Sequence, residues 1–299
     1  MNASLRLFRD PPDPRADPAE IVPLKEEIRA LRQEVQMLRR RDEIVHFYLH
    51  RVDEELRLAA RLQQDFLPKD LPCVGRARFS AMFRPAGYVS GDLYDVFRLD
   101  ENHVGFYLAD AIGHGVPSAL LTMFLRTSLV SKEILPNGYR ILPPSETLEK
   151  LNDALAAQNF SQTTFATAVY GVINTLSGEV QISRAGHPLP VVLPKGDPEP
   201  RGLNSGGGPL LGVFAGEKFG VETFRLNPGD RLFIHSDGVD AICSETGAEE
   251  NGAWMGRLLS VRTHTTAKIF ADFSEELDRK EGSLAPKDDL TIISVEMQE

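Results

Sequence analysis

Four short stretches of this sequence place aspartate at the end of an apolar run or in a tight turn beside one. They are SGDLYD with Asp92 and Asp95, LADAIGHG with Asp110, IHSDGVDA with Asp237 and Asp240, and PKDDLTII with Asp288 and Asp289. A single aspartate beside a strand is an ordinary turn residue. Four together pose a chemical problem, sharpest at Asp110, which stands between an apolar strand-like run and a strongly apolar helix-like run across the turn Gly113-His114-Gly115. An unpaired carboxylate is costly to bury there. Carboxylates that converge also resist ionising together unless a cation joins them. Oxygen donors without a Cys or His cluster suit Mg²⁺ or Mn²⁺. Whether the four places converge is left open by the pattern alone.

For convergence, a rigid scaffold must present these ends side by side. ARFSAMF, DLYDVFRL, HVGFYLAD, TFATAVYGVI, GEVQISRAG, LPVVLP, VETFRL, DRLFIHSD and DDLTIISVEM read as strands separated by Gly and Pro. Helices are predicted over 116–135, over 144–160 with Ser145 as N-cap, and over 266–279. Helices set between runs of strands, without βαβ alternation, predict an α+β layered sandwich. No internal repeat is visible.

The N-terminal part obeys a different pattern. Residues 1–19 hold Pro11, Pro12, Pro14 and Pro18 among charges and read as a disordered tail. Leu24, Ile28, Leu31, Val35, Leu38, Val45, Leu49, Val52, Leu56, Ala59 and Phe66 then follow an alternating four-three spacing, with Asp42 and Gln63 as polar members in register. A heptad stripe sustained for about six heptads predicts a coiled coil over 20–67. At ~1.5 Å per residue it would extend about 65 Å. Leu67-Pro68 should end it, and the catalytic part would occupy 68–299. The stripe fits a homodimer through residues 24–66, with a regulatory partner docking on the coiled coil. A single helix lying on the following domain is the alternative. In a parallel dimer Asp42 would face its own copy and make a weak point.

Composition narrows the function classes. A hydrophobic fraction of 42% and a charged fraction of 25% are those of a globular protein. A net charge of -10 argues against nucleic acid as a partner. No stretch approaches the ~20 apolar residues of a membrane span, and the first residues lack the apolar core of a signal peptide. The two cysteines, Cys73 and Cys243, form neither a CxxC pair nor a disulfide framework. The expectation is a cytoplasmic protein with reduced thiols.

The blocks SGDLYD, ADAIGHG, RAGHPLP, SDGVDA and KDDLTII, in this order, resemble the signature of the PPM-type metal-dependent serine/threonine phosphatases, and more narrowly their bacterial SpoIIE/RsbU branch. AARLQQDFLPKDLP is similar to the helix-to-domain junction of that branch, so the resemblance covers about residues 56–297. It implies a four-layer α-β-β-α sandwich, two Mn²⁺ or Mg²⁺ ions in a cleft at one end, and hydrolysis of phosphoserine or phosphothreonine by a metal-bridging water. It further implies a phosphorylated anti-anti-sigma (STAS-type) protein as substrate in a partner-switching pathway. Carried over by motif, Asp92 and Asp110 would bind the metal pair and serve catalysis. Asp237 and Asp288 would complete one metal's shell, and by the same resemblance the carbonyl of Ala111 would join it. Asp289 and Asp95 rank behind these, and either Asp288 or Asp289 could point inward.

Some positions depart from the pattern. Ser90 stands where a second glycine is usual. The phosphate-binding arginine of eukaryotic relatives has no clear match, Arg84 being a candidate by position only. His114 and His187 are expected to stabilise turns rather than transfer protons. The SGGGPLLG loop from Ser205 lacks the GK[ST] ending of a nucleotide-binding loop. Two other readings stay open: a catalytically silent binding module of the same fold, and a metal-dependent hydrolase or cyclase acting on nucleotides, for which no base-recognising element is seen.

Overall fold

Alternation of apolar and polar residues along the strands builds two sheets, and each sheet buries different side chains on its two faces. The computed structural model describes residues 18–160, 164–196, 199–244, 253–281 and 288–298. The predicted tail lies outside them as far as residue 17, while Pro18 and Ala19 open helix α1 (Pro18–Phe66). The chain divides into two compact units, Met1–Arg57 and Leu58–Glu299. In the first, α1 keeps its heptad side chains Leu24, Leu31, Val35, Leu38, Val45 and Leu49 exposed. Residues 58–66 of α1 belong to the second unit.

That unit continues with β1 (Ala77–Arg84), β2 (Asp92–Arg98), β3 (His103–Ala111), α2 (Val116–Ser128), β4 (Lys132–Leu135), β5 (Gly138–Ile141), α3 (Pro144–Ala156), β6 (Ala166–Asn174), β7 (Glu179–Ala185) and β8 (Val191–Leu193). Three short strands follow, β9 (Arg201–Gly202), β10 (Gly207–Gly208) and β11 (Glu222–Arg225). Then come β12 (Arg231–His235), α4 (Asp237–Ser244), α5 (Ala253–Ser260), α6 (Thr266–Glu281) and β13 (Leu290–Met297). One sheet has the order β1-β13-β12-β8-β9. The other runs β10-β7-β6-β3-β2, with β11 also on β7.

Three apolar clusters separate four layers. Between the sheets, Phe106, Leu108, Val169, Ile173, Val180 and Ile182 meet Leu232, Ile234, Ile293 and Val295. Outside the second sheet, Leu121 and Leu125 of α2 and Leu148, Leu151 and Leu155 of α3 cover Leu93, Tyr107 and Tyr170. Outside the first, Val239, Trp254, Leu258, Ile269, Phe273 and Leu277 of α4, α5 and α6 cover Phe233 and Ile292. This is the expected α-β-β-α sandwich.

Local readings differ in four places. The helix predicted over 116–135 stops at Ser128, and Leu129 is extended. Pro136-Asn137-Gly138 then turns the chain into the β4–β5 hairpin, because Asn-Gly favours a tight reversal and proline cannot continue a helix. Helix α3 ends at Ala156, with Asn159 at φ 46° just beyond it. Its N-cap is Pro143, with no side-chain cap bond from Ser145. Finally, α4 and α5 were not expected, each being only 8 residues long.

Leu108 is fully buried in the inter-sheet cluster. Leu108→Ala should therefore destabilise the protein by about 2–5 kcal/mol, read from the denaturant midpoint at constant slope. A loss below about 1 kcal/mol would mean that the two sheets do not share this core.

Candidate metal centre

The inter-sheet core ends in acid. Asp92 pairs with Asp110 across β2 and β3, and Asp110 pairs with Thr167 across β3 and β6. Side chains alternate along a strand, so Asp92 continues the face of Tyr94 and Val96, and Asp110 that of Leu108 and Phe106. Two carboxylates thus stand side by side where the apolar stack stops. Asp92 is 1% exposed. Its Oδ2 accepts a hydrogen bond from Thr291 Oγ1 of the facing sheet at 2.6 Å.

The other sheet brings its acids through backbone contacts. After β12, Ser236 Oγ donates to the Asp289 carbonyl at 3.2 Å and accepts from Thr291 N–H at 3.0 Å. Asp237 then opens α4. A Cβ on Gly238 would lie 2.3 Å from the Asp289 carbonyl oxygen, so only glycine lets the first turn of α4 sit this close. Asp288 is exposed and lines the cleft with Asp110 and Asp237. Asp289 is buried, and its carboxylate accepts from the N–H groups of Ala86 and Gly91, both at 2.7 Å. Gly91 O in turn accepts from Ala111 N–H at 3.0 Å, which fixes the end of β3.

Electrostatics follow from this crowding. Burial, then the charges of Asp237, Asp288 and Asp289, pushes Asp110 up to about 7. Burial, then Asp110, holds Asp92 well above the usual carboxylate range, against the opposing hydroxyls of Thr291 and Ser236. Asp237 is raised by the surrounding protein and by Asp288, although its side chain opens to solvent at the cleft wall. No ion pair involves Asp92, Asp110, Asp237 or Asp288 among the described residues. No three His, Cys, Asp or Glu side chains there already enclose a single point as a finished cage. The group is a set of mutually repelling oxygens around an open cleft of about 530 Å³. A hard divalent cation fits such donors and would remove the repulsion that raises Asp110.

Other expected residues lie elsewhere. Asp95, three residues past Asp92, faces the opposite side and pairs with Arg126 of α2 at 2.9 Å. Arg84 pairs with Asp278 of α6. His187 is buried, with Nδ1 2.6 Å from Thr167 Oγ1. Burial, then nearby His235, holds it down to about 3, so it stays neutral near pH 7. Asp240 meets His235 Nε2 at 3.0 Å on the cleft wall. His114 is exposed in its turn between Gly113 at φ 86° and Gly115 at φ 77°.

The sequence reading put Gln63 in the heptad register and at the helix-to-domain junction, without a contact of its own. This buried side chain of α1 donates from Nε2 to Ser90 O at 2.7 Å and accepts from Ser90 N–H at Oε1 at 2.8 Å. It clamps the SGD loop as a neighbouring strand would. The signal was its polarity at a position in register with an apolar stripe.

Residues 100–298 match the family model described as Stage II sporulation protein E (SpoIIE). The chain belongs to the SpoIIE family. The matched segment includes Asp110, Asp237, Asp288 and Asp289, with Asp92 just ahead of it. Among curated relatives, Protein IcfG of Synechocystis sp. (strain ATCC 27184 / PCC 6803 / Kazusa) is 27% identical over 262 residues, covering 81% of this chain and 41% of that protein. Phosphoserine phosphatase RsbP of Bacillus subtilis (strain 168) is 29% identical over 189 residues, covering 62% of this chain and 45% of that protein. This SpoIIE-family chain therefore spans less than half the length of either. The crystal structure of the RsbU and RsbW domains of Rv1364c from Mycobacterium tuberculosis superposes with a TM-score of 0.61 at 26% identity, over 76% of this chain and 62% of that one.

An acid with a raised folded-state pKa keeps a proton that the unfolded chain has released. The cation-free protein should thus lose stability as pH rises from about 4 to about 7, with the full penalty present above that range. Asp110→Asn removes the penalty. At pH 8 without cations the variant should melt a few degrees above the parent, and the gap should close toward pH 4. An equal or lower melting temperature at pH 8 would contradict the electrostatic account of Asp110.

Proposed function

We propose that this chain is a protein-serine/threonine phosphatase using two Mn²⁺ or Mg²⁺ ions. The observation that carries the reading is Asp110, a largely buried carboxylate crowded by Asp237, Asp288 and Asp289 and without a basic partner. Asp92 and Asp110 would hold the two ions, Asp237 and Asp288 would complete one ion's oxygen set, and the Ala111 carbonyl at the end of β3 would join it. Asp289, with both oxygens on backbone amides, serves to fix the loop that carries Asp92. When bound, the ions supply an activated water and polarise the phosphoryl group for in-line attack.

The remaining groups orient this machinery. Thr291 and Ser236 steady Asp92. Neutral His187 holds Thr167 at the cleft wall. Gly238 keeps Asp237 against the Asp289 backbone. Support for the reaction class comes from RsbP, a phosphoserine phosphatase, and from proteins of this fold with metal: the PstP catalytic domain with 2 manganese ions and RsbX with magnesium.

The substrate we favour is a phosphorylated STAS-type protein, in keeping with the RsbU-like domain that accompanies an RsbW domain in the mycobacterial relative. Residues 20–67 would form a dimerising and regulatory helix ahead of the phosphatase domain at 68–299. A second copy of the chain would cover the exposed heptad side chains of 24–66, and a regulatory partner would act on that coiled coil. The signal would enter at Gln63, where α1 grips the SGD loop. Among the described residues no helix is long and apolar enough to cross a membrane.

Turnover of p-nitrophenyl phosphate and of a phosphoserine STAS protein, with and without Mn²⁺, tests the chemistry. Turnover should require Mn²⁺ and fall in Asp110→Asn by more than the roughly 10–100-fold that losing a supporting partner costs a metal site. Metal-independent turnover, or none with no calorimetric Mn²⁺ binding, would sink the proposal. Gln63→Ala tests the coupling. It leaves the buried N–H and C=O of Ser90 unpaired, so Mn²⁺ affinity and turnover should both drop, and unchanged values would remove Gln63 from the path.

A further inference from the structure

The acidic cleft has one cationic side chain on its wall, Arg184, among the described lining residues. It comes from RAGHPLP, a block whose chemistry the metal site does not use. Along β7, Val180 and Ile182 point into the inter-sheet core, and alternation puts Arg184 next on that face, opposite Val169 of β6. The arginine therefore emerges at the same end of the sandwich as Asp110.

Its guanidinium is held in place. Nη1 donates to the His187 carbonyl at 2.7 Å. Nη2 lies over Gly207, where a Cβ would come within 2.8 Å of it. Nε is buried without a hydrogen-bond partner. No carboxylate within ion-pair distance neutralises Arg184 among the described residues, unlike Arg84 and Arg126, which pair with Asp278 and Asp95. Half-burial lowers its pKa without discharging it. A fixed, uncompensated guanidinium beside a cleft is costly unless an anion visits it, and planar forked donors match phosphoryl oxygens.

We infer that Arg184 binds the phosphoryl oxygens of the substrate from the β7 side of the cleft that Asp110, Asp237 and Asp288 also line. The inference rests on the phosphatase reading above and deepens it. It assigns to β7 the anion-binding task that the sequence offered only to Arg84, which α6 has already engaged.

Inorganic phosphate is the probe. The chain has one tryptophan, Trp254, and it lines this cleft, so its fluorescence reports phosphate binding to the Mn²⁺-loaded protein whether or not turnover is seen. Arg184→Gln should weaken phosphate binding about tenfold or more, and raise KM for the phosphoprotein more than it lowers kcat. Mn²⁺ affinity by calorimetry and the melting temperature should stay near those of the parent. Arg184→Lys should recover part of the affinity through charge alone. Phosphate affinity unchanged in Arg184→Gln, or phosphate binding lost together with Mn²⁺ binding, overturns the inference. Absence of phosphate binding by the Mn²⁺-loaded parent overturns it as well. Absence of Mn²⁺-dependent turnover in a parent that binds phosphate through Arg184 would instead count against the phosphatase reading alone.

Discussion

Everything at the open end of this sandwich depends on two aspartates meeting across one pair of strands. Asp92 and Asp110 are register partners on β2 and β3, on the face that packs the inter-sheet core. A sheet holds directly opposed side chains roughly 4.5–5.5 Å apart at Cβ, so neither can retreat from the other. Like charges opposed in this way destabilise a sheet. The structure tolerates the arrangement because the rest of the fold is tied to it from the facing sheet. Thr291 hydrogen-bonds Asp92, Ser236 joins Thr291 to Asp289, and Asp289 grips the loop just ahead of Asp92. These links hold repelling groups where a cation can use them, which is how a site is prepared before its ligand arrives.

Much of this was legible in the sequence, for a definable reason. Strand ends announce themselves when an apolar run stops at a charge, and Asp92, Asp110 and Asp237 all lie at such stops. The α+β sandwich was legible because period-2 runs and helix-period runs came in separate blocks. What escaped depends on direction or on short length. Asp288 and Asp289 are adjacent, so one must face the cleft and the other the core, and the pattern does not say which. The answer came from Ala86 and Gly91, whose amides claim Asp289. Helices α4 and α5 carry too few turns to show periodicity. The β4–β5 hairpin was absorbed into α2 because the apolar residues through Leu135 continue past the true helix end at Ser128, although Asn137-Gly138 marked the reversal.

The contacts of Arg184 and Gln63 escaped for a shared reason. Each is a polar residue continuing an apolar series, Arg184 after Val180 and Ile182, Gln63 within the heptads of α1. A single exception in a periodic pattern reads as noise until the far side of the contact is known. Here the far sides are a cleft wall and the backbone of Ser90. Such exceptions are where local rules are expected to yield to function.

The Gln63 clamp also bears on how such a site is held open or closed. A side-chain amide paired with both the N–H and the C=O of Ser90 cannot slide along the loop without leaving two buried polar groups unmatched, at a cost of about 1–3 kcal/mol each. Intermediate positions are therefore penalised, and the contact favours either full engagement or full release. The Ser90 hydroxyl oxygen also accepts a hydrogen bond from the Asp92 N–H at 3.0 Å, so release at Gln63 loosens the backbone of Asp92 directly. Since Asp289 grips the same loop at Gly91, the loop is held from two sides, by a helix and by the opposite sheet. Of the two, the helical hold connects onward, without a break in α1, to a stripe of exposed apolar side chains. Under the proposed function, a partner that shifts α1 by a fraction of a turn would thus act on the clustered carboxylates through two hydrogen bonds, with no need to deform either sheet.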